Sequence, residues 1–378
     1  MIYLDYNATT PVLPPILDRM LPYFGEQFGN PSSGSHSYGW SAEAAVEVSA
    51  EQAAALIGAD PSEVVFTGGA TEAINHAIKG LTAEGRGRHV VTVATEHKAV
   101  LDTCAAVANR GVDVTTVGVD RQGNVDIDEL VSAIRDDTAV VAVMWANNET
   151  GAVHPIAEIG AAVRARGVPL LCDATQAVGK IPVSFEYVDL LACSAHKFYG
   201  PKGVGLLVAH RGRRSVRLPR FIDGGGQQDE RRGGTLNVPA IVGLGAAAEL
   251  ARQDLEKEGD RQRPMRDALE SKLLAAWPDA YVNGNTERRL PQTTNVTFPG
   301  IDAAKLMAEL RSLAVSNASA CQSASGKPSH VLLAMGLSDA DARAAIRFSL
   351  GRPTTYEDIV GAAEMVAAAL DKIAAPAA

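Results

Sequence analysis

The sequence predicts an α/β protein built on a mostly parallel β-sheet that helices cover on both faces. Seven short apolar runs rich in β-branched residues recur between residues 63 and 210, and helical patterns fill most of the gaps. Polar clusters follow many of these runs. Strands that alternate with helices are typical of parallel sheets, and such sheets bind ligands at the carboxyl ends of their strands. We therefore expect one site at that edge.

The elements of this sheet are predicted in chain order. The strands are expected at Glu63–Phe66, His89–Thr95, Val112–Val119, Ala139–Trp145, Pro169–Asp173, Asp189–Ser194 and Val204–His210. The helices are expected at Ser41–Ile57, Thr71–Lys79, Lys98–Asn109, Ile127–Ile134 and Ile156–Arg166. Ser41 is the predicted N-cap of the first helix, because its hydroxyl can accept a hydrogen bond from the first turn.

The segments on either side of the sheet differ in character. Residues 1–14 are predicted to form a short extended arm, and residues 28–39 a long polar loop. After about residue 238, two long helices precede shorter strands and further helices. The helices are expected at Pro239–Glu256, Arg261–Ala276, Ala303–Leu313 and Tyr356–Ile373, and the strands at Asn295–Phe298, Ala314–Asn317 and Ala345–Leu350. We expect a large domain over residues 15–257 and a smaller α+β domain formed by residues 1–14 and 258–378.

Composition argues against several classes of protein. The chain has 378 residues, of which 46% are hydrophobic and 21% are charged, as in ordinary globular proteins. Its net charge of −9 gives no general attraction to nucleic acid or to anionic membranes. The four cysteines form no CxxC pair, so neither a disulfide framework nor a zinc site is expected. No apolar run is long enough for a membrane span and no secretory signal is visible, which predicts a cytoplasmic protein.

The polar turn that follows Ser194 carries Lys197 between two apolar strands. A lysine at a strand end can be held partly desolvated, so that its amine is neutral and nucleophilic. Taken alone, Lys197 is better explained as a surface lysine in a hairpin turn, and only the other strand ends favour the nucleophile. Asp173 ends another apolar strand, where a carboxylate needs a positive partner. It is interpreted as an N-cap, a core ion pair, or the partner of a protonated ring nitrogen that Gln176 would also reach.

Two further strand ends carry candidate chemistry. Gly68–Thr71 joins a strand to a helix, where backbone N–H groups can bind an anion, although an ordinary tight turn fits as well. His97 is either a structural side chain or an imidazole that stacks on a ring or transfers protons. Together with Lys197 and Asp173, an anion cradle fits pyridoxal phosphate, which needs a Schiff-base lysine, an acid at its ring nitrogen and a phosphate site. The fingerprints of nicotinamide enzymes and serine hydrolases are absent.

The four cysteines fall into two groups. Cys104, Cys172 and Cys193 lie in predicted helices or apolar strands and are expected to be buried thiols. Cys321 lies in a small, polar, glycine-terminated stretch, which predicts an exposed loop over about residues 317–328. A loop cysteine is usually incidental, but in a pyridoxal-phosphate protein it is also a candidate nucleophile or acceptor.

A series of motifs runs in order along nearly the whole chain. They are LDYNATTP (4–11), GNPSS (29–33), GATEA (69–73), TEHKAVLDTC (95–104), NNETG (147–151), DATQAVGK (173–180), SAHKFYGPKG (194–203), GGGQ (224–227), GGTLN (233–237), SACQSAS (319–325) and RFSLGR (347–352). In these motifs the chain resembles the cysteine desulfurases of the NifS/IscS type, within the class V aminotransferase group. The resemblance implies the fold of fold-type I pyridoxal-phosphate enzymes, with a seven-stranded sheet and a smaller α+β domain.

The resemblance also implies how the cofactor would be held. Lys197 would carry it covalently, Asp173 would keep its ring nitrogen protonated, and Gln176 would bond its ring hydroxyl. His97 would stack on the ring and move protons. The residues that would bind its phosphate are Ala70, Thr71, Ser194 and His196.

Four more matched residues would act on the substrate or across a dimer. Thr235 would reach the phosphate of a neighbouring subunit, which implies a homodimer, and Asn148 would lie near cofactor and substrate. Arg347 would clamp the substrate carboxylate through two hydrogen bonds. Cys321 would accept the sulfur of L-cysteine as a persulfide while alanine leaves, and would pass it to an acceptor protein.

Two alternatives to a cysteine desulfurase stay open at this point. One is a related pyridoxal-phosphate lyase or aminotransferase such as a selenocysteine lyase. The other is a catalytically silent scaffold for sulfur-acceptor proteins, against which the presence of Lys197 and Asp173 argues. The destination of the sulfur is also open among iron–sulfur cluster assembly, tRNA thiolation, thiamine and DNA phosphorothioation, with no direct nucleic-acid contact, membrane or metal ion expected.

Overall fold

The computed structural model describes residues 1–83, 87–211, 215–317 and 327–374. Its strands are β1 (Ile2–Tyr3), β2 (Val64–Thr67), β3 (His89–Val93), β4 (Asp113–Val117), β5 (Thr138–Ala142), β6 (Leu170–Asp173), β7 (Leu190–Ser194), β8 (Gly205–Ala209), β9 (Tyr281–Val282), β10 (Thr293–Thr297), β11 (Leu313–Ala314) and β12 (Ala345–Ser349). Its α-helices are α1 (Pro14–Met20), α2 (Pro22–Gly25), α3 (Ser37–Ile57), α4 (Ala70–Leu81), α5 (Lys98–Ala108), α6 (Ile127–Ser132), α7 (Ile156–Ala165), α8 (Val238–Ala276), α9 (Ala303–Glu309), α10 (His330–Ala334), α11 (Asp339–Arg343) and α12 (Tyr356–Ala374).

The large sheet has seven strands in the order β2-β8-β7-β6-β5-β3-β4. The pairs from β7 to β4 are parallel, whereas β8 is antiparallel to both of its neighbours. Alternate residues of a strand face opposite sides of a sheet. Accordingly, Val90 and Val140 lie in one core cluster with Ile74 of α4, and Val91 and Val141 lie in another with Ile159 of α7. The predicted α/β class with a mostly parallel sheet is therefore confirmed.

The C-terminal part contains two smaller sheets. β9, β10 and β12 form an antiparallel sheet in the order β12-β10-β9, and β1 pairs with β11 in parallel. A third hydrophobic cluster joins Leu4 of the N-terminal arm to Leu269, Phe298 and Phe348. The arm thus packs with the C-terminal elements, while the domain limits at 15–257 and 258–378 stay a prediction.

The prediction of two separate helices after residue 238 is wrong. One helix, α8, runs without a break from Val238 to Ala276, through the expected gap between 256 and 261. Glu258 bridges that gap, because its Oε2 accepts hydrogen bonds of 2.9 Å from both Arg261 and Gln262 one turn later. Pro264 removes only the single backbone bond that its missing N–H would donate, and the helix continues.

The start of α3 also differs from the prediction. The helix begins at Ser37, so Ser41 lies inside it, and His36 is the N-cap with its Nδ1 accepting a 3.2 Å hydrogen bond from the Gly39 N–H. The short helices α1 and α2 were not predicted, although Pro14 and Pro22 occupy their first turns, a position that suits proline. Among the described helices, none has both the length and the apolar character that crossing a membrane requires.

Candidate active site

A pocket of about 240 Å³ lies at the carboxyl edge of the large sheet. Ten of the twelve residues predicted for the site line it. They are Ala70, Thr71, His97, Asn148, Asp173, Gln176, Ser194, His196, Lys197 and Arg347. The polar clusters that follow separate strands in the sequence therefore meet in one place, as the parallel sheet requires.

The other two predicted residues are not in this pocket. Thr235 is exposed on the segment that leads into α8. Cys321 lies outside the described residues, and so does most of the predicted loop over 317–328. Cys104, Cys172 and Cys193 are buried free thiols, as predicted, and burial raises the pKa of Cys104 and of Cys193 to about 12.

Lys197 lies in a single 3₁₀ turn, Ala195–Lys197, directly after β7. This turn brings its amine out of the sheet and against the N-terminal arm. Nζ donates hydrogen bonds of 2.7 Å to the carbonyl oxygens of both Asn7 and Ala8. The amine is therefore held at one point of the pocket wall, with its stem anchored by the strand.

Asp173 is buried at the end of β6, where its Oδ1 accepts a 3.0 Å hydrogen bond from the Thr175 N–H. A second carboxyl group, Glu96, is completely buried nearby. Burial, and then the charge of Asp173, raise the pKa of Glu96 well above its usual range. Burial and the neighbouring Asp173 thus both disfavour the charged form of Glu96.

The predicted anion cradle is formed where α4 begins beside β7. Ser194 Oγ accepts a 2.8 Å hydrogen bond from the Ala70 N–H, the first of the helix. Gly69 has a φ of 148°, a conformation that side chains disfavour. A Cβ on Gly205 would lie 2.6 Å from the Gly69 Cα, so the close approach of β8 also requires glycine. An N-terminus of this kind, bare of side-chain bulk, favours a bound anion.

The two histidines of the pocket are neutral near pH 7. His97 caps α5, because its Nδ1 accepts a 3.0 Å hydrogen bond from the Ala99 N–H; its proton is therefore on Nε2. Burial is the largest cause that lowers the pKa of His97. His196 Nδ1 lies 3.1 Å from Thr9 Oγ1, and burial together with the charge of Lys197 lowers the pKa of His196 to about 4.

Arg347 reaches the pocket from β12 and is only 2% exposed. Its Nη1 donates to the Asn148 carbonyl oxygen at 2.8 Å, and its Nη2 donates to Asp5 Oδ1 at 2.6 Å. Its Nε is buried and has no acceptor among the described residues. A buried unpaired donor of a guanidinium group suits a ligand oxygen. Asp5 was not predicted as a site residue.

Asn7 is a second residue that the sequence analysis missed. It is buried in the pocket wall, and its carbonyl oxygen accepts from Gln176 Nε2 at 2.9 Å as well as from Lys197. Its Nδ2 donates to Thr293 Oγ1 at 2.9 Å and to the Asn148 carbonyl at 3.3 Å. The LDYNATTP motif was the available signal, but nothing in that motif alone indicates these partners.

Two residues that closely follow Cys321 in sequence, Ser329 and His330, bond to groups at the carboxyl edge of the large sheet. Ser329 caps α10 and its Oγ donates a 2.5 Å hydrogen bond to Glu149 Oε2. His330 Nε2 donates to the Glu96 carbonyl oxygen at 2.9 Å. Ser329 and His330, which follow Cys321 in sequence, are therefore attached to the same edge of the sheet as the pocket.

The groups that line the pocket fit pyridoxal phosphate. An amine, a buried carboxylate, and a helix N-terminus beside hydroxyl groups are the three kinds of partner that this cofactor needs. Lys197 supplies the first, Asp173 the second, and α4 with Thr71 and Ser194 the third. Arg347 adds a cation for a carboxylate.

Comparison with known proteins places these residues in a family. The family model described as aminotransferase class-V matches residues 2–360. The chain is 50% identical to "Cysteine desulfurase IscS" of Anaeromyxobacter sp. (strain Fw109-5) over 362 residues, which cover 95% of this chain and 89% of that protein.

Solved structures agree with this result. A structure titled "NIFS-LIKE PROTEIN" superposes with a TM-score of 0.91 at 36% identity and covers 98% of this chain and 99% of its own. A structure titled "SspA in complex with cysteine" gives a TM-score of 0.80 at 37% identity and covers 93% and 99%. The chain therefore belongs to the class V aminotransferase family, whose cysteine desulfurases depend on pyridoxal phosphate, and within it to the cysteine desulfurases of the IscS/NifS type.

Proposed function

We propose that this chain is a pyridoxal-phosphate-dependent cysteine desulfurase, which converts L-cysteine to L-alanine and transfers the sulfur to Cys321 as a persulfide. The convergence of Lys197, Asp173 and Arg347 on one pocket carries the proposal, and the activity named for the 50% identical relative supports it. The reaction balances without an added oxidant. The substrate C–S bond breaks, an S–S bond forms at Cys321, and of the two thiol protons one ends on alanine and one on the persulfide.

The cofactor would be held by residues of the sheet edge. Lys197 would bind it covalently, Asp173 would pair with its ring nitrogen, and Gln176 would bond its ring hydroxyl, with His97 against the ring. Its phosphate would lie at the start of α4, in reach of Ala70, Thr71, Ser194 and His196. When bound, pyridoxal phosphate supplies an electron sink for the charge that develops at the substrate Cα.

The chain's own groups would bind the substrate and move its protons. Arg347 would bind the substrate carboxylate; Asn148 and Asp5 already fix the orientation of its guanidinium group. The Lys197 amine, when it is not bound to the cofactor, would take the proton from Cα. His97, with its proton on Nε2, would act as a hydrogen-bond donor in the same pocket.

The proposal includes a homodimer whose two sites share residues. Exposed large apolar side chains cluster on α1 to α3 and the segments that join them. They are Leu17, Leu21, Phe24, Phe28, Tyr38 and Trp40. Apolar surface of this kind is typical of protein interfaces, and the exposed Thr235 would complete a partner's phosphate site. In sedimentation equilibrium, we expect dimers of the parent protein and monomers of the double variant Phe24→Ser, Phe28→Ser; a monomeric parent protein would contradict the dimer.

The activity can be tested with purified protein loaded with pyridoxal phosphate. Borohydride reduction followed by peptide mass spectrometry should place a pyridoxyl group on Lys197. Incubation with L-cysteine should release one alanine for each persulfide formed on Cys321. Cys321→Ser should abolish the persulfide and slow alanine release, whereas Ser323→Ala, two residues away, should behave like the parent protein. An unlabelled Lys197, or unchanged alanine release by Cys321→Ser, would contradict the proposal.

The proposal defines the acceptor of the sulfur only by its chemical class. We infer a second protein with a nucleophilic thiol or a cluster-assembly site, in the cytoplasm, and the tRNA, thiamine and DNA routes remain alternatives. Incubating the protein with ³⁵S-cysteine in cell extract and identifying the labelled protein by mass spectrometry would decide between these routes. Label that stays on Cys321 in the presence of extract would contradict transfer to an acceptor.

A further inference from the structure

A second lysine, Lys180, lies beside the pocket and has no role in the proposed reaction. It lines a small neighbouring cavity of about 20 Å³ that shares Lys197 with the pocket. Its Nζ donates to Gln176 Oε1 at 2.5 Å and lies 3.5 Å from Asn7 Oδ1. Burial, followed by the charges of Lys197 and Arg347, lowers the pKa of Lys180 well below its usual range. An amine placed beside this cavity and directed at the oxygens of two amide side chains indicates a specific function.

The hydrogen-bond partners of Gln176 define the positions of the oxygen and the nitrogen of its side-chain amide. The Lys180 amine donates to Oε1, and the Asn7 carbonyl, which can only accept, takes one hydrogen of Nε2. Turning the amide by 180° would place its oxygen against the Asn7 carbonyl oxygen and its NH₂ group against the Lys180 amine. Both contacts would then be repulsive or unpaired, which is unfavourable for buried polar groups.

We propose that Lys180 is a positioning residue that holds the Gln176 amide so that it presents its second N–H, and not its oxygen, to the pocket. Gln176 lines the pocket, so the group it recognises must be a hydrogen-bond acceptor. This inference rests on the proposed function, in which that acceptor is the ring hydroxyl oxygen of pyridoxal phosphate. Lys180 therefore acts on the cofactor only through Gln176.

A double-mutant cycle on the holoenzyme tests this coupling. Lys180→Met and Gln176→Met should each weaken the binding of pyridoxal phosphate by about tenfold, the value of one hydrogen bond to a charged group. In the double variant the loss should equal that of either single variant, because both remove the same oriented N–H. The absorption spectrum of the bound cofactor should change equally in all three proteins. Lys372→Met, on the exposed face of α12, should leave both binding and spectrum unchanged.

The outcomes separate this inference from the proposed function. Independent, additive losses in the cycle, or a Lys180→Met spectrum equal to that of the parent protein, would overturn the role of Lys180. Borohydride labelling of Lys197 in each variant reports on the proposed function alone, because Lys180 is not needed for the covalent bond. Lys180→Gln, which retains a donor on a shorter stem, enters the same cycle if Lys180→Met does not fold.

Discussion

The pocket has two walls that are constructed in different ways. The sheet wall consists of groups at the carboxyl ends of β6 and β7, chiefly Asp173, Ser194 and Lys197. Their backbone lies in or next to the parallel ladder of the large sheet. The positions of these side chains therefore follow from the sheet itself.

The arm wall brings together the N-terminal arm and β12. Asp5 pairs with Arg347, and Asn7 bonds to Asn148 and Thr293, across 141 to 342 positions of sequence. Side-chain hydrogen bonds between distant segments thus set the positions of the groups that would bind the substrate carboxylate. We expect changes in the arm wall to reduce substrate binding and stability together, and changes in the sheet wall to reduce the chemistry alone.

The largest expected effect is that of Lys197→Ala in the sheet wall. Removing the amine that we propose to bind the cofactor and to move the Cα proton should lower the rate of alanine formation by at least about 10³-fold. The free energy of unfolding should change by about 1 kcal/mol or less, because the Asn7 carbonyl keeps its bond from Gln176 and the Ala8 carbonyl, which loses its bond from Lys197, is only half-buried. Steady-state assays and urea denaturation measure the two quantities. The exposed Lys202→Ala is the control, and a large loss of stability in Lys197→Ala would contradict the independence of the sheet wall.

We expect acid to lower the free energy of unfolding through one buried side chain, His154. His154 is buried, and burial together with the charge of Arg288 lowers its pKa to about 4. Between pH 6.5 and 4 the unfolded chain takes up a proton that the folded chain does not bind, so stability falls as the pH falls through this range. The loss attributable to His154 is up to about 3 kcal/mol.

The variant His154→Gln isolates this contribution. Its free energy of unfolding should depend less on pH between 6.5 and 4 than that of the parent protein, as measured by denaturant titrations at fixed pH values. The exposed His36→Gln provides the matched control and should retain the full slope. Parallel curves for His154→Gln and the parent protein would show that His154 does not cause the acid sensitivity.

In the arm wall, Arg347→Lys should affect binding more than chemistry. A lysine cannot reproduce the separate bonds of the guanidinium group to Asn148 and Asp5. We expect kcat/KM for L-cysteine to fall by about 10–100-fold, mainly through KM, with a measurable loss of stability. Arg343→Lys on the exposed α11 should be neutral. A fall in kcat with an unchanged KM would instead show that Arg347 acts in the chemical step, as we expect for residues of the sheet wall, and not in substrate binding.

The two walls also differ in how far the sequence predicts them. Asp173, His97 and Lys197 follow predicted strands, and the rule that parallel strands share one carboxyl edge is sufficient to bring them together. Nothing local marks Asp5 or Asn7, because their partners lie in β10, in β12 and after β5, and only the folded chain brings these segments into contact. Arg347 was identified through the family resemblance alone.

The same distinction explains the errors in secondary structure. The strands of the large sheet were predicted because they are short runs rich in apolar and β-branched residues. The continuous α8 was not, because Gly259, in the predicted gap between Glu256 and Arg261, has a low helix preference. Bonds from Glu258 to Arg261 and Gln262, together with packing of both halves of the helix on the cores, outweigh that preference.

The smallest expected effect, Asn7→Ala, separates the two walls most directly. The backbone carbonyl that accepts from Lys197 remains, so the position of the amine should be kept and kcat should fall by less than about tenfold. The side-chain bonds to Thr293, Asn148 and Gln292, and the 3.5 Å contact with Lys180, are lost inside the protein. Leaving those buried groups unpaired should cost about 2 kcal/mol of the free energy of unfolding.

Comparing Asn7→Ala with Asn109→Ala, at the exposed end of α5, controls for the loss of an asparagine. Urea denaturation should show the stability loss only for Asn7→Ala, and KM for L-cysteine should rise with it, because Asn148, which also orients Arg347, loses its support. A stable Asn7→Ala protein with unchanged KM would mean that backbone pairing, such as that between Ser316 and Arg347, holds the arm wall without the side-chain network. The two walls would then be equivalent in construction, and the difference between them would lie only in their chemistry.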